Sequence, residues 1–216
     1  MDASVNERLG VIADAVRAID PAFASAVDDL IDRLKASGAG SAAPQVGEPM
    51  PAFILPDQSG ALVNLDQALS QGPVAVSFHR GSWCPYCRLN TIALAEANKE
   101  ARAIGAQLVA ITPDLQKFTN ALKSEAGAQF PILTDMDNGY AMSLNLAIWV
   151  GSEVYRVTSR VMQGDVRFTG DETSMLPIPA TFVVGTDGLI KARYIDPDYR
   201  QRMEIEDLLG ALRAAT

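Results

Sequence analysis

The sequence predicts an α/β domain, with helices packed on a central sheet, preceded by an N-terminal helical hairpin. Apolar strand-like runs alternate with helix-period segments from residue 73 onward, residues 1–37 carry two amphipathic stripes, and residues 38–48 (GAGSAAPQVGE) lack large side chains. The organisation that follows is a hairpin at 1–37, a linker at 38–48 and a main domain at 49–216.

Val5, Leu9, Ile12, Val16 and Ile19 recur at helical spacing, and Asp20-Pro21 then supplies an N-cap with proline at the first helical position. Phe23, Ala26, Val27, Leu30, Ile31 and Leu34 form the stripe of the second helix, which Gly38 terminates. These stripes must be buried on the main domain or on a second subunit, and a homodimer would meet the latter requirement. PAFILPDQSGALVNL places two short strands around Gln58-Ser59-Gly60, a hairpin signal. Residues 73–79 (PVAVSFH) read as a strand buried on both faces, 86–104 as a helix, 107–112 as a strand, 114–127 as a helix and 130–134 as a short strand. Val154, Val157 and Val161 share one helical face, suggesting a short helix and then an irregular loop. Residues 181–185 and 189–194 are strands joined at Thr186-Asp187-Gly188, and Ile205, Leu208, Leu209 and Leu212 mark a closing helix.

A chain of 216 residues, 48% hydrophobic and 20% charged, can bury a core without cross-links, so its two cysteines are not needed as a staple. The net charge of -8 repels polyanions on average, which argues against nucleic acid and acidic membrane surfaces as partners. The start MDASVNERLG has neither a basic leader nor an apolar segment, and no run reaches the ~20 apolar residues of a membrane span. A cytoplasmic location is the expectation.

Both cysteines lie in FHRGSWCPYCR, where the buried strand passes through Arg80, Gly81, Ser82 and Trp83 into the next helix. At a helix start, unpaired N–H groups and the helix dipole favour an anion and lower a thiol pKa from roughly 8.5 toward neutrality. Residues three apart share a helix face, so an oxidised Cys84 can be resolved by Cys87, or the reverse. Pro85 fixes the turn without needing an N–H, and Trp83 covers one side of the pair. Buried structural cysteines, half of a zinc site and a structural disulfide are the competing readings. The spacing at a strand-to-helix turn, the absence of a second cysteine pair and the reducing cytosol weigh against them. The second signal is Ile178-Pro179-Ala180-Thr181-Phe182, read either as an edge-strand boundary or as a cis-proline loop beside the sulfurs that leaves the Ile178 backbone free to pair with a visitor.

WCPYC resembles active sites of the thioredoxin superfamily: Trp-Cys is similar to thioredoxin and Cys-Pro-Tyr-Cys to glutaredoxin. GEPMPAFILPDQSG, VAVSFHRGSWCPYC, FPILTD and LPIPATFVVGTDG together resemble the peroxiredoxins of the alkyl hydroperoxide reductase and thiol-specific antioxidant family, over about residues 46 to 216. The resemblance implies a thioredoxin-like fold with a mixed sheet flanked by helices, and a thiol peroxidase without cofactor or metal. It also implies a peroxide substrate and a thioredoxin, glutaredoxin or low-molecular-weight thiol as reductant. Cys84 and Cys87 become the catalytic pair, supported by Arg80, Trp83, Pro85, Ile178, Pro179 and Thr181.

The pattern departs from that family at three places. Phe78-His79-Arg80 replaces a Phe-Tyr-Pro run, Cys84 stands in the Thr or Ser position if Cys87 is peroxidatic, and Pro179 stands where an activating arginine is usual, with Arg80 nominated as the substitute cation. Two other readings stay open: a thiol–disulfide oxidoreductase in which Cys84 attacks, and a non-catalytic redox sensor whose disulfide controls the helical extension. Which cysteine reacts first is not decided by the sequence.

Overall fold

The computed structural model describes residues 3–151, 154 and 175–215. Helices α1 (Val5–Ile19) and α2 (Pro21–Ala36) form the N-terminal hairpin. Ser4 caps α1 by a capping box: its hydroxyl accepts from the Glu7 N–H at 3.2 Å while the Glu7 carboxylate accepts from the Ser4 N–H at 2.7 Å. Asp20 caps α2 by accepting from the Phe23 N–H at 2.9 Å, with Pro21 at the first helical position as expected.

Strands β1 (Ile54–Pro56) and β2 (Leu62–Asn64) pair antiparallel, and the short helix α3 (Leu65–Leu69) follows. Next in order are β3 (Val74–Phe78), α4 (Pro85–Ala103), β4 (Gln107–Thr112), α5 (Gln116–Ala126) and β5 (Ile132–Thr134). Then α6 (Gly139–Ser143), β6 (Ala147–Trp149), β7 (Met175–Pro177), β8 (Ala180–Val184), β9 (Ile190–Ile195) and α7 (Ile205–Ala214) complete the described chain. The central sheet has the order β5-β4-β3-β8-β9, with β3, β4 and β5 parallel and β8 antiparallel to both β3 and β9. It is a mixed sheet flanked by helices, the arrangement of a thioredoxin-like fold.

Strand alternation sorts the core onto the two faces of this sheet. Val76, Phe78, Ile111 and Phe182 pack with Phe53, Leu144 and Leu146 on one side. Ala75, Ala110, Ile132 and Val183 meet Leu94 of α4, Leu122 of α5 and Leu209 of α7 on the other. Every residue of β3 is buried, as its continuous apolar run requires of a central parallel strand. Thus the end of β3, where the cysteine loop begins, is surrounded on all sides.

The hairpin stripe is buried on the same chain. Val5, Leu9, Val27 and Ile31 pack against Cys84, Tyr86, Cys87 and Tyr199, each fully buried aliphatic side chain contributing about 1.5–3 kcal/mol. Ile19, expected on this stripe, is instead 84% exposed, because α1 makes its buried contacts with its first half, through Val5 and Leu9, and its end runs past that surface. The linker is also firmly held: Arg193 donates to the carbonyls of Ala43 and Pro44 at 2.8 and 2.9 Å, and the Gly47 N–H donates to the Ile190 carbonyl at 2.8 Å.

Strands β6 and β7 and helices α3 and α6 were not anticipated; each has three to five residues, too short for a periodic signal. Val154 is buried against Leu30 and Val150, while Val157 and Val161 lie outside the described residues. No helix among the described residues is long and apolar enough to cross a membrane.

Candidate active site

The loop leaving β3 must turn sharply to launch α4, and Gly81 makes this turn at φ +146°. A Cβ there would lie 2.3 Å from the Trp83 indole nitrogen and 2.9 Å from the Asp114 Oδ1. Asp114, just after β4, holds the loop by accepting from the Ser82 N–H at 2.5 Å. Burial raises its carboxyl pKa to about 7, and its Oδ1 has no hydrogen-bond partner among the described residues.

Cys84 is the N-cap of α4, Pro85 its first helical residue and Cys87 the third. Both cysteines are free and buried, at 1% and 0% exposure, so the hairpin and the aromatic side chains close the pair off from bulk water. Pro85 is exposed and Trp83 half-buried, which puts the loop side of the pair nearest the surface.

Two nitrogen donors converge on the Cys87 sulfur, the Arg80 backbone N–H and the Arg202 Nη2, each at 3.3 Å, and the Cys84 thiol favours charge on the same sulfur. Burial opposes the charge, but these donors and the Arg202 cation hold the Cys87 thiol well below the usual thiol range. Burial and its bond to Cys87 push Cys84 the other way, so it keeps its proton and acts as the donor. The two thiols on this helix turn are thus shifted in opposite directions, Cys87 toward the thiolate and Cys84 toward the thiol.

Arg80, nominated from sequence as the cation, meets Cys87 through its backbone N–H, while its charge bears on Cys84. Its guanidinium stacks 3.9 Å from the Tyr199 ring centroid and 5.2 Å from that of Trp83. The cation on Cys87 is Arg202, in the loop between β9 and α7, which sequence reasoning missed. Arg202 also donates to the Tyr199 and Gln201 carbonyls. No motif or periodicity marks it; only the mixed-charge run DPDYRQR hints at an ion-pair knot.

His79, directly after β3, is fully buried between the Ser77 hydroxyl at 3.1 Å, the Asn90 amide at 3.2 Å and the Thr91 hydroxyl at 3.2 Å. Burial lowers its pKa to about 4, so it is neutral near pH 7. Thr91 also donates to the Cys87 carbonyl at 2.9 Å, fixing the helix turn that carries the sulfur.

The Ile178–Thr181 segment departs from expectation. No cis peptide bond occurs among the described residues, so Pro179 follows a trans bond at the entry to β8. The Ile178 N–H donates to the Leu146 carbonyl at 2.8 Å, and so is not free for a visitor. That bond continues the β6–β7 ladder by one pair and occupies the Ile178 N–H. Thr181 faces Ser77 across the β3–β8 ladder, hydroxyl to hydroxyl at 3.4 Å, and supports the His79 network rather than a sulfur.

A family model described as "AhpC/TSA family" matches residues 46–193. Two Mycobacterium tuberculosis proteins, from strains CDC 1551 and H37Rv, carry provisional peroxiredoxin names; each is 26% identical over 149 residues, 68% of this chain and 83% of theirs. Among solved structures, peroxidoxin BcpB from Mycobacterium tuberculosis aligns with a TM-score of 0.60 at 21% identity, covering 80% of this chain and 98% of its own. A cysteine-to-serine mutant of peroxiredoxin 6 from Arenicola marina aligns with a TM-score of 0.59 at 17% identity, covering 77% and 70%. At these identities the two structures speak to the fold.

Proposed function

The chain belongs to the AhpC/TSA family, and on that premise we propose that it is a thiol peroxidase in which Cys87 attacks first. The observation that carries this reading is the convergence of the Arg80 N–H and the Arg202 guanidinium on one buried sulfur, one helix turn from a second cysteine. The Cys87 thiolate attacks one oxygen of a hydroperoxide, an S–O bond forms, the O–O bond breaks, and the departing alkoxide or hydroxide takes a proton to leave as alcohol or water. The Cys84 sulfur then displaces the sulfenic hydroxyl, closing an 84–87 disulfide and releasing water. A thioredoxin, a glutaredoxin or a low-molecular-weight thiol reopens that disulfide and is itself oxidised.

In this reading Arg202 takes the role for which the sequence offered Arg80, a cation against the reacting sulfur that stabilises the thiolate. Trp83 and Tyr199 enclose Arg80, which keeps the loop and its N–H in place. A thiol–disulfide oxidoreductase would use Cys84 as the attacking group and the Ile178 backbone as a docking edge. A protonated, buried Cys84 and an occupied Ile178 N–H give that reading less support.

The test combines peroxide consumption with trapping of sulfenic acid by a 1,3-dicarbonyl reagent, located by peptide mass. Cys84→Ser is expected to accumulate trapped acid on Cys87 after substoichiometric peroxide, and Cys87→Ser to consume none. A wild-type protein that consumes no peroxide with any class of thiol reductant, or acid trapped on Cys84 alone, overturns the proposal.

A further inference from the structure

Arg202 and the N-terminal hairpin both lie outside residues 46–193, the stretch that matches the family model. The sulfur-activating cation therefore depends on parts of this chain that the common domain does not supply. Arg202 sits in a loop, where no strand ladder or helix turn fixes its backbone. It is held instead by α1: the Arg202 N–H donates to the Asn6 Oδ1 at 2.9 Å, and the Asn6 Nδ2 donates to the Arg202 carbonyl at 2.8 Å. This two-way pairing substitutes for a strand partner.

Glu204, two residues on, completes the joint by accepting from the Val5 N–H at 2.9 Å, the Asn6 N–H at 3.0 Å and the Asn6 Nδ2 at 2.7 Å. Its carboxylate takes up the orphan donors at the start of α1. From α2, Asp28 accepts from Arg200 at 2.8 Å, so both hairpin helices grip the same loop.

We propose that Asn6 is a positioning residue for the thiol site: it clamps the Arg202 backbone so that the guanidinium stays against the Cys87 sulfur. An arginine side chain has several rotatable bonds, and holding it in one conformation is entropically unfavourable. The Arg202 Nε is buried without a partner among the described residues, so the head group is incompletely anchored by its own contacts. The backbone clamp makes up that deficit. A small withdrawal of the loop lengthens the 3.3 Å contact and weakens both the hydrogen bond and the charge interaction. The other groups acting on the Cys87 thiolate are Cys84 on α4, His79 after β3 and Asp114 after β4, whereas the Asn6 hydrogen bonds run to Arg202 and Glu204.

This inference rests on the reading of Cys87 as the reacting thiolate. The experiment uses the full chain and follows iodoacetamide alkylation of Cys87 against pH, located by peptide mass, with peroxide consumption measured in parallel. Asn6→Ala is expected to raise the alkylation midpoint by about one pH unit, so that Cys87 reacts roughly tenfold more slowly below the midpoint. Asn6→Ser, too short to span both groups, gives the same shift and covers a failure of the alanine variant to fold. Ser4→Ala removes the cap of the same helix without touching Arg202 and leaves the midpoint in place. An unmoved midpoint in both Asn6 variants, or an equal shift in Ser4→Ala, overturns the positioning role. A shifted midpoint in a protein that consumes no peroxide overturns the peroxidase reading and leaves the clamp standing.

Discussion

Replacing Arg202 by methionine removes the charge on Cys87 while keeping a long apolar stem. At the 3.3 Å separation, two unit charges interact by about 5 kcal/mol at an effective dielectric of 20, and by about 1.3 kcal/mol in bulk water. At about 1.4 kcal/mol per pH unit, those limits bracket a rise in the Cys87 pKa of roughly one to four units. Because both groups are buried, the expected rise is about two units, with the peroxide rate at pH 7 falling at least about tenfold. Thiolate absorbance against pH, checked by mass-located alkylation, measures the first quantity, and initial rates measure the second. The variant also strands the Tyr199 and Gln201 carbonyls, at a cost of about 1–3 kcal/mol each if both stay buried, so a thermal melt accompanies the titration. Arg202→Lys keeps a charge and is expected to recover part of the acidity. If Arg202→Met titrates at the wild-type midpoint while folded, the assignment of the cation is wrong.

Three further outcomes test the surrounding loop. The Asp114 carboxyl rises from 3.8 to about 7 on folding, so it contributes stability that is complete below pH 3.8 and is lost as pH climbs through 7. Asp114→Asn should gain on wild type by up to roughly 4 kcal/mol between pH 4 and 8, read by urea denaturation; parallel stability curves would refute this. Gly81→Ala should destabilise the protein by about 1–3 kcal/mol through backbone strain and push Trp83 aside; unchanged tryptophan fluorescence and an unchanged melt would count against the close approach. Leu9→Ala, beneath the sulfur pair, should cost about 2–5 kcal/mol and speed Cys87 alkylation by loosening the cover, whereas a loss below about 1 kcal/mol would mean the hairpin is only loosely docked.

Local chemistry was legible from the start. The largely apolar run before the loop read as a strand buried on both faces, Asp20-Pro21 announced a helix start, and Cys-Pro-Tyr-Cys after that strand placed two sulfurs on one helix turn. Each of these depends on neighbours within about one turn or one strand, and such contacts are written in residue order. The expectation of a free Ile178 backbone went astray for the opposite reason. Whether an N–H is free depends on a carbonyl, here that of Leu146, which no local pattern can identify.

What the sequence by itself determined is therefore the strand, the turn, the helix and the sulfur pair mounted at their junction. Only the tertiary structure decided which groups stand against each sulfur. Against Cys87 it sets the Arg80 N–H and Arg202, the latter more than a hundred residues along the chain, in a loop that the hairpin meets. A buried charge answers to whatever lies within a few ångströms of it, and packing, not order along the chain, sets that company.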